Sequence, residues 1–335
     1  MEPITQGLIG ASLAGSISKK DHLKQASILG EVGGIFPDID VLIKSNNDPL
    51  LFIDFHRHFT HSLIFSPFGS FFLACIFFFL LNKSKSSFKN IYLYIFIGFI
   101  SHGLLDACTS YGTNLFWPFS NDRISWNLIS VVDPFFSILL FLFFTVFLLK
   151  KSRVFVQIGI LLSLIYLVFG YVKKEKVKEY VTDLAEKRNH KIERILLKPT
   201  FGNNILWRSI YQTKNFYYLN AVYIPLFSVK THKKGDRLNV INKNTIFSEI
   251  PENSIHRQDI LRFANFSQNF IFLHPDYSNI IADLRYGSLP HDYKSLWGIE
   301  VDLKKYDQHV AYKNLRNFEN DFFINFFKML GGNLN

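Results

Sequence analysis

The chain's 335 residues leave room for two domains. A composition that is 48% hydrophobic, with 37 Phe, points towards a membrane protein. Only Cys75 and Cys108 are present, which excludes a disulfide framework, a zinc knuckle and a redox pair. The formal charge is +10, but no Gly-rich basic arm or aromatic–basic motif accompanies it. Nucleic acid is therefore not an expected partner, and the basic excess is read as contact with lipid headgroups or as solubility.

From the start of the chain, Glu2 stands where a secretory signal would carry basic residues, so no cleavable signal peptide is expected. Residues 4–17 read as a short helix capped by Thr5 and rich in small residues: Gly7, Gly10, Ala11, Ala14 and Gly15. Residues 25–36 read as a second helix, closed by Gly33-Gly34 and then Pro37. Four candidate spans follow. Leu63–Leu81 and Val154–Val172 hold no charge, Leu128–Leu149 holds only Asp133, and Ile91–Leu105 is apolar apart from His102. A span needs about 20 apolar residues.

Loop charge sets an expected orientation. Lys83, Lys85 and Lys89 follow the first span, and Lys150, Lys151 and Arg153 follow the third. Lys/Arg-rich short loops stay cytoplasmic. That places the polar blocks described below, and residues 173–335, on the extracytoplasmic side. Lys173, Lys174, Lys176 and Lys178 run against this assignment.

Residues 173–195 alternate Lys and Glu at helical spacing. Strand-like runs follow at 216–229, 270–273, 280–284 and 295–303, and residues 311–331 return to a helical pattern. The expected fold class is mainly α: a multi-helix transmembrane domain, residues 1–172, followed by a soluble α+β domain, residues 173–335.

Three blocks carry chemistry. Asp38 and Asp40 follow Pro37, which should keep Phe36 extended and point both carboxylates to one side. They can bind a divalent cation, or one can cap a helix while the other is solvated. His56, His58 and His61 lie within six residues. On a helix His58 and His61 would share a face, whereas at a loop or helix start His56 and His61 would converge. Arg57 offers a bidentate fork for phosphate or carboxylate. Thr60 and Ser62 can orient imidazoles, or Thr60 can cap the next span. His102 and Asp106, four apart on a helix, can share a metal or form a private polar pair. Asp133 before Pro134 reads as a helix cap. Ionisable groups beside apolar spans are functional candidates, and imidazoles with carboxylates suit Zn, Mn or Fe.

In this order, Pro37-Asp38-x-Asp40, His56-Arg57-x-x-Thr60-His61-Ser62 and His102-Gly103-Leu104-x-Asp106 resemble the membrane-bound predicted metal-dependent hydrolases of bacterial inner membranes, a family with a LexA-regulated member. Met1 to Leu8, Asp106 to Gly112 and Trp117-Pro118-Phe119 resemble it too. The resemblance covers residues 1–135 in detail. It implies a metal held by Asp38, Asp40, His56, His61, His102 and Asp106. Gln6 departs from the family's His at that position, which leaves a ligand missing or replaced by water.

The expected function is a multi-pass inner-membrane hydrolase whose metal-activated water attacks a phosphoester or other ester, lipid-linked substrates included, at the membrane surface. Asp40 and Arg57 are the candidate catalytic residues. The expected cofactor is a divalent ion, with zinc preferred over manganese or iron. Expected partners are membrane lipid and a small or lipid-linked substrate. The alternative is a non-catalytic metal-binding scaffold or a transporter.

Overall fold

A computed structural model describes residues 1–81, 87–227, 229–317 and 321–334. Lys83 and Lys85, invoked for orientation, lie outside the described residues. The chain divides into two compact units. The first comprises Met1–Ile43, Phe55–Tyr171 and Phe201–Asn203; the second comprises Lys44–Asp54, Val172–Thr200 and Asn204–Asn335.

In the first unit, α1 (Pro3–Ile17) and α2 (Leu23–Ile35) pack against each other and against α5 (Phe88–Ala107). Small residues make this closeness possible: a Cβ on Gly10 would stand 2.2 Å from the Gly30 carbonyl oxygen. Backbones that approach this closely are a usual feature of helices packed in a membrane. The cap of α1 is Glu2, whose carboxylate accepts from the Thr5 N–H. Thr5 was the expected cap, but Pro3 fixes the helical φ two residues earlier.

Pro37 does not force an extended lead-in. Phe36 is helical, and Phe36–Leu42 forms a 3-10 helix. Proline's preference for an extended predecessor is overridden here by the continuing turn from α2. After α3 (Leu51–Phe55), a turn and a second 3-10 segment, Phe59–His61, lead into α4 (Ser66–Leu80). The Ser62 hydroxyl accepts from the Phe65 N–H, so Ser62 caps this entry.

Among the described residues, α5 and α7 (Arg153–Lys187) are long and apolar enough to cross a membrane. The expected spans at 63–81 and 128–149 are shorter helices: α4, with 15 residues, and α6 (Pro134–Lys150), with 17. Leu51–His61 and Ser66–Leu80 pass the same test only as a pair bent by 83°. The start of α6 is late because Asp133 caps it, accepting from the Phe136 N–H at 3.1 Å and from the Tyr166 hydroxyl. Residues 128 and 129 are instead tied by their N–H groups to the Cys108 carbonyl. Phe68, Phe72 and Phe79 on α4, and Val168 on α7, are all more than 60% exposed. Such apolar surface belongs in hydrocarbon rather than water.

The second unit contains two antiparallel four-stranded sheets, so "mainly α" describes only the N-terminal part of the chain. One sheet runs β1 (Arg194–Pro199), β2 (Leu206–Gln212), β3 (Phe216–Tyr223), β4 (Thr231–Asn239) in order. The other runs β5 (Ile271–Leu273), β6 (Ile280–Asp283), β7 (Trp297–Glu300), β8 (Ala311–Asn314). Leu196, Ile210, Leu219, Phe270, Phe272 and Ala282 share one core. Helix α8 (Ile255–Phe266) is capped by Ser254. The helical pattern expected over 311–331 is β8 followed by a shorter helix, α9 (Phe322–Leu330). On α8, Arg262 binds Asp48, Asp54 and Asp259, while His309 Nδ1 binds Asp259. Asp48, Asp259 and His309 could together hold an ion, but the Arg262 guanidinium already supplies the positive charge.

Candidate metal centre

Four side chains from three stretches of chain converge in the first unit: Asp38 from the 3-10 helix after α2, His61 from the 3-10 segment before α4, and His102 and Asp106 from α5. His61, His102 and Asp106 are at most 1% exposed, whereas the Asp38 side chain retains 19% exposure. Gly103 lets the His61 segment lie against α5. A Cβ there would stand 2.3 Å from the His61 carbonyl oxygen.

Hydrogen bonds fix both imidazole tautomers. His102 Nδ1 lies 2.6 Å from the Gly34 carbonyl oxygen, which only accepts, so Nδ1 carries the proton. The Thr60 hydroxyl gives its single proton to Asp40 Oδ2 at 2.7 Å, and its oxygen lies 3.0 Å from His61 Nδ1. His61 Nδ1 therefore donates to Thr60, with Asp40 Oδ2 also 3.2 Å away. His102 Nε2 is then a lone-pair donor, and it faces His61 Nε2 at 2.8 Å. Burial disfavours a charged His61, but the Asp106, Asp38 and Asp40 carboxylates outweigh it and raise its pKa to about 10. Without a metal, a proton on His61 Nε2 therefore bridges the pair; a bound cation would take that proton's place.

Carboxylate oxygens complete the cluster. Asp38 Oδ1 is 3.4 Å from each Nε2. Asp106 Oδ2 is 3.4 Å from His61 Nε2 and 3.7 Å from His102 Nε2. Donors bound tetrahedrally at roughly 2.0–2.2 Å stand about 3.4 Å from one another. The imidazole–carboxylate spacings and the chemistry of this donor set fit zinc or a similar divalent ion, around which the two Nε2 atoms would part from 2.8 Å. Asp106 Oδ2 is buried and accepts no hydrogen bond, which leaves its lone pairs directed at the cluster.

The remaining sequence candidates surround this set. Asp40 stands behind it, accepting from His56 Nδ1 at 2.9 Å, the Arg57 N–H at 2.9 Å and Thr60. Asp38, Asp40 and His56 form a second group with metal-ligating spacing, but both Asp40 oxygens already accept. Burial alone would raise the Asp38 and Asp40 carboxyls. Contacts with His102 and His61 on Asp38, and with His56 and His61 on Asp40, outweigh it and hold both well below the ordinary carboxylate range. His58 is turned away, among Phe55, Phe59 and Trp117.

Arg57, in the left-handed region at φ 63°, points inward. Its Nε lies 3.0 Å from Asp106 Oδ2 without hydrogen-bond alignment, one terminal nitrogen reaches Thr109, and the guanidinium lies over the Tyr111 ring. Gln6 Nε2 donates to Asp106 Oδ1 at 2.8 Å, and the Met1 amino nitrogen bonds the same oxygen. Gln6 thus occupies the position expected for a ligand, but it holds the carboxylate of Asp106. The roles of Thr109 and Tyr111 were not anticipated. Their signal was only that they lie in the segment carrying the resemblance.

A helical unit with two helices long and apolar enough to cross a membrane, around a buried His/Asp cluster, defines a membrane protein with a candidate metal centre. The chain belongs to the YdjM inner membrane protein family, whose model matches residues 1–177. This agrees with the inner-membrane family read from the sequence; the family's description names a location and no activity. The chain is 28% identical over 192 residues to the uncharacterized protein YfhP of Bacillus subtilis (strain 168), covering 56% of this chain and 55% of that protein. It therefore spans about half the length of the curated relative it matches. No solved structure matches the chain.

Proposed function

We propose that this protein is a multi-pass inner-membrane hydrolase, dependent on a divalent metal, that acts on a phosphoester or other ester of a small or lipid-linked substrate at the membrane surface. The observation that carries the reading is the pair of Nε2 atoms facing each other between two carboxylate oxygens, with each ring's Nδ1 engaged elsewhere. His61, His102, Asp106 and Asp38 would hold the ion. When bound, such an ion supplies Lewis acidity and a water acidified to a pKa of about 7.

The chain's own residues divide the remaining work. Asp40 and Thr60 orient His61, as outer carboxylates commonly do for metal-binding imidazoles. The Gly34 carbonyl orients His102. Arg57 balances the charge of Asp106 and keeps its carboxylate aimed inward. His56, half-buried, is bonded through Nδ1 to Asp40. Asp38, as the exposed member, marks the side on which substrate would enter. Zinc is the proposed ion, and the site and C-terminal domain are proposed to be extracytoplasmic.

One observation favours the non-catalytic scaffold. Four protein donors fill a tetrahedral shell, as in closed structural zinc sites. Catalysis would need Asp38 to yield its place or the shell to expand. The discriminating experiment is turnover of a generic phosphodiester by purified protein in detergent. A hydrolase loses turnover with chelator and recovers it with zinc; a scaffold binds zinc and turns over nothing.

A further inference from the structure

Exposed apolar side chains of the second unit concentrate in two places. Leu226, Phe227 and Val229, between β3 and β4, are 62%, 97% and 83% exposed. Phe323, Ile324 and Phe327 on α9 are 65%, 53% and 62% exposed. Exposure of this size in water would be an aggregation liability.

Both places lie at the same end of the first sheet. Phe326 and Met329, on the inner face of α9, pack with Leu206 and Ala221, and Tyr223 joins them. Leu206 pairs with Tyr223 across β2 and β3. Tyr223 is the last residue of β3, and Ile224-Pro225 leads directly into the exposed loop.

The level of this end relative to the bilayer is set by α7. Its apolar run ends at Val172, and Lys173 is the first charge after 19 uncharged residues. The buried Lys173 ammonium donates to the carbonyls of Ile224 and Pro225 at 2.8 and 3.1 Å. The loop is thereby fastened to the helix at the depth where that helix leaves the hydrocarbon. Lys176 and Lys230 lie close to Lys173, Lys174 and Lys178 are on the same helix and Lys328 is on α9, and basic side chains beside apolar ones suit an anionic headgroup layer.

We propose that Leu226, Phe227 and Val229 and the outer face of α9 dock into the same bilayer that α7 crosses, so that the C-terminal domain lies on the membrane surface. Phe227 and Phe323 sit in the acyl–headgroup boundary, and the lysines sit among the headgroups.

The test uses the full chain in vesicles of mixed neutral and anionic lipid. Nitroxide labels are placed one at a time through Phe227→Cys, Phe323→Cys, Val168→Cys and Lys304→Cys, in a background without Cys75 and Cys108. Collision with oxygen and with a water-soluble nickel chelate is then measured at each label. Labels at 227 and 323 that shift towards high oxygen and low nickel access, as at 168, carry the proposal. Nickel access at 227 and 323 equal to that at exposed Lys304 overturns it. Exclusion of both reagents, with spin–spin broadening between chains, also overturns it and assigns the surface to a second copy.

Discussion

His61 Nε2 and His102 Nε2 lie 2.8 Å apart while each ring's Nδ1 is committed to an acceptor elsewhere. Two lone pairs in contact repel, so either a proton on His61 Nε2 or a metal ion must sit between them, and a metal ion would displace that proton. Each consequence below follows from that relationship and from the groups that enforce it.

Asp40 and Thr60 touch His61 without belonging to the four converging donors. Asp40→Asn and Thr60→Val should therefore weaken zinc affinity by about 10–100-fold, the usual range for an outer partner of a metal-binding imidazole. His61→Ala should abolish binding. Competition titration against a chromophoric chelator measures the difference, and equal losses in all three variants would make Asp40 a ligand.

Arg57 is the buried counter-charge of Asp106. In metal-free protein, Arg57→Ala should cost about 3–5 kcal/mol, because a carboxylate is left buried with less compensation. Arg57→Ala combined with Asp106→Ala should recover part of that loss. Saturating zinc should also reduce it, since the ion supplies the missing positive charge. Thermal unfolding in detergent, with and without zinc, gives all three comparisons.

Gly103→Ala would place a methyl group 2.3 Å from the His61 carbonyl oxygen. The segment carrying His61 must shift, at a cost of about 1–3 kcal/mol. Zinc affinity should fall with stability, although no ligand is changed. A variant with lower stability but unaltered zinc affinity would show that the His61 segment is not held in place by this contact.

Asp292 in the second unit supplies a pH signature. Burial pushes its carboxyl up to about 6, and Oδ1 has no hydrogen-bond partner. An unfolded Asp titrates near 3.9, so the unfolded chain releases this proton first. The Asp292 contribution is most favourable below pH of about 4, declines as pH rises to about 6, and is level above that. Asp292→Asn should remove this decline and stabilise the protein by about 1–3 kcal/mol at neutral pH. Unfolding temperature against pH for the two proteins tests it.

Much of the helical unit was legible because its signals are local. Apolar runs between charged loops located α4 to α7, and the i, i+4 spacing placed His102 and Asp106 on one helix face. Helix ends were less legible, since Asp133 and Pro134 cost the third candidate span its first turn. The path of Pro37-Asp38-Ile39-Asp40 was misread because the turn continuing from α2 overrode the proline rule. β1, β2 and β4 escaped notice: β4 is rich in Lys and half-exposed, and β1 follows the long helix with no break beyond a short turn. The inward turn of Arg57 had no sequence signal, because it depends on where Asp106 and Tyr111 arrive from another segment.

The most direct measurement is the metal content of the purified full-length protein, set beside His61→Ala and Asp106→Ala prepared identically. The account predicts one divalent ion per chain in the parent, and loss of that ion in both variants while their helical content is retained. A parent that takes up no ion from zinc-containing buffer, or either variant keeping the parent's full content, would contradict it.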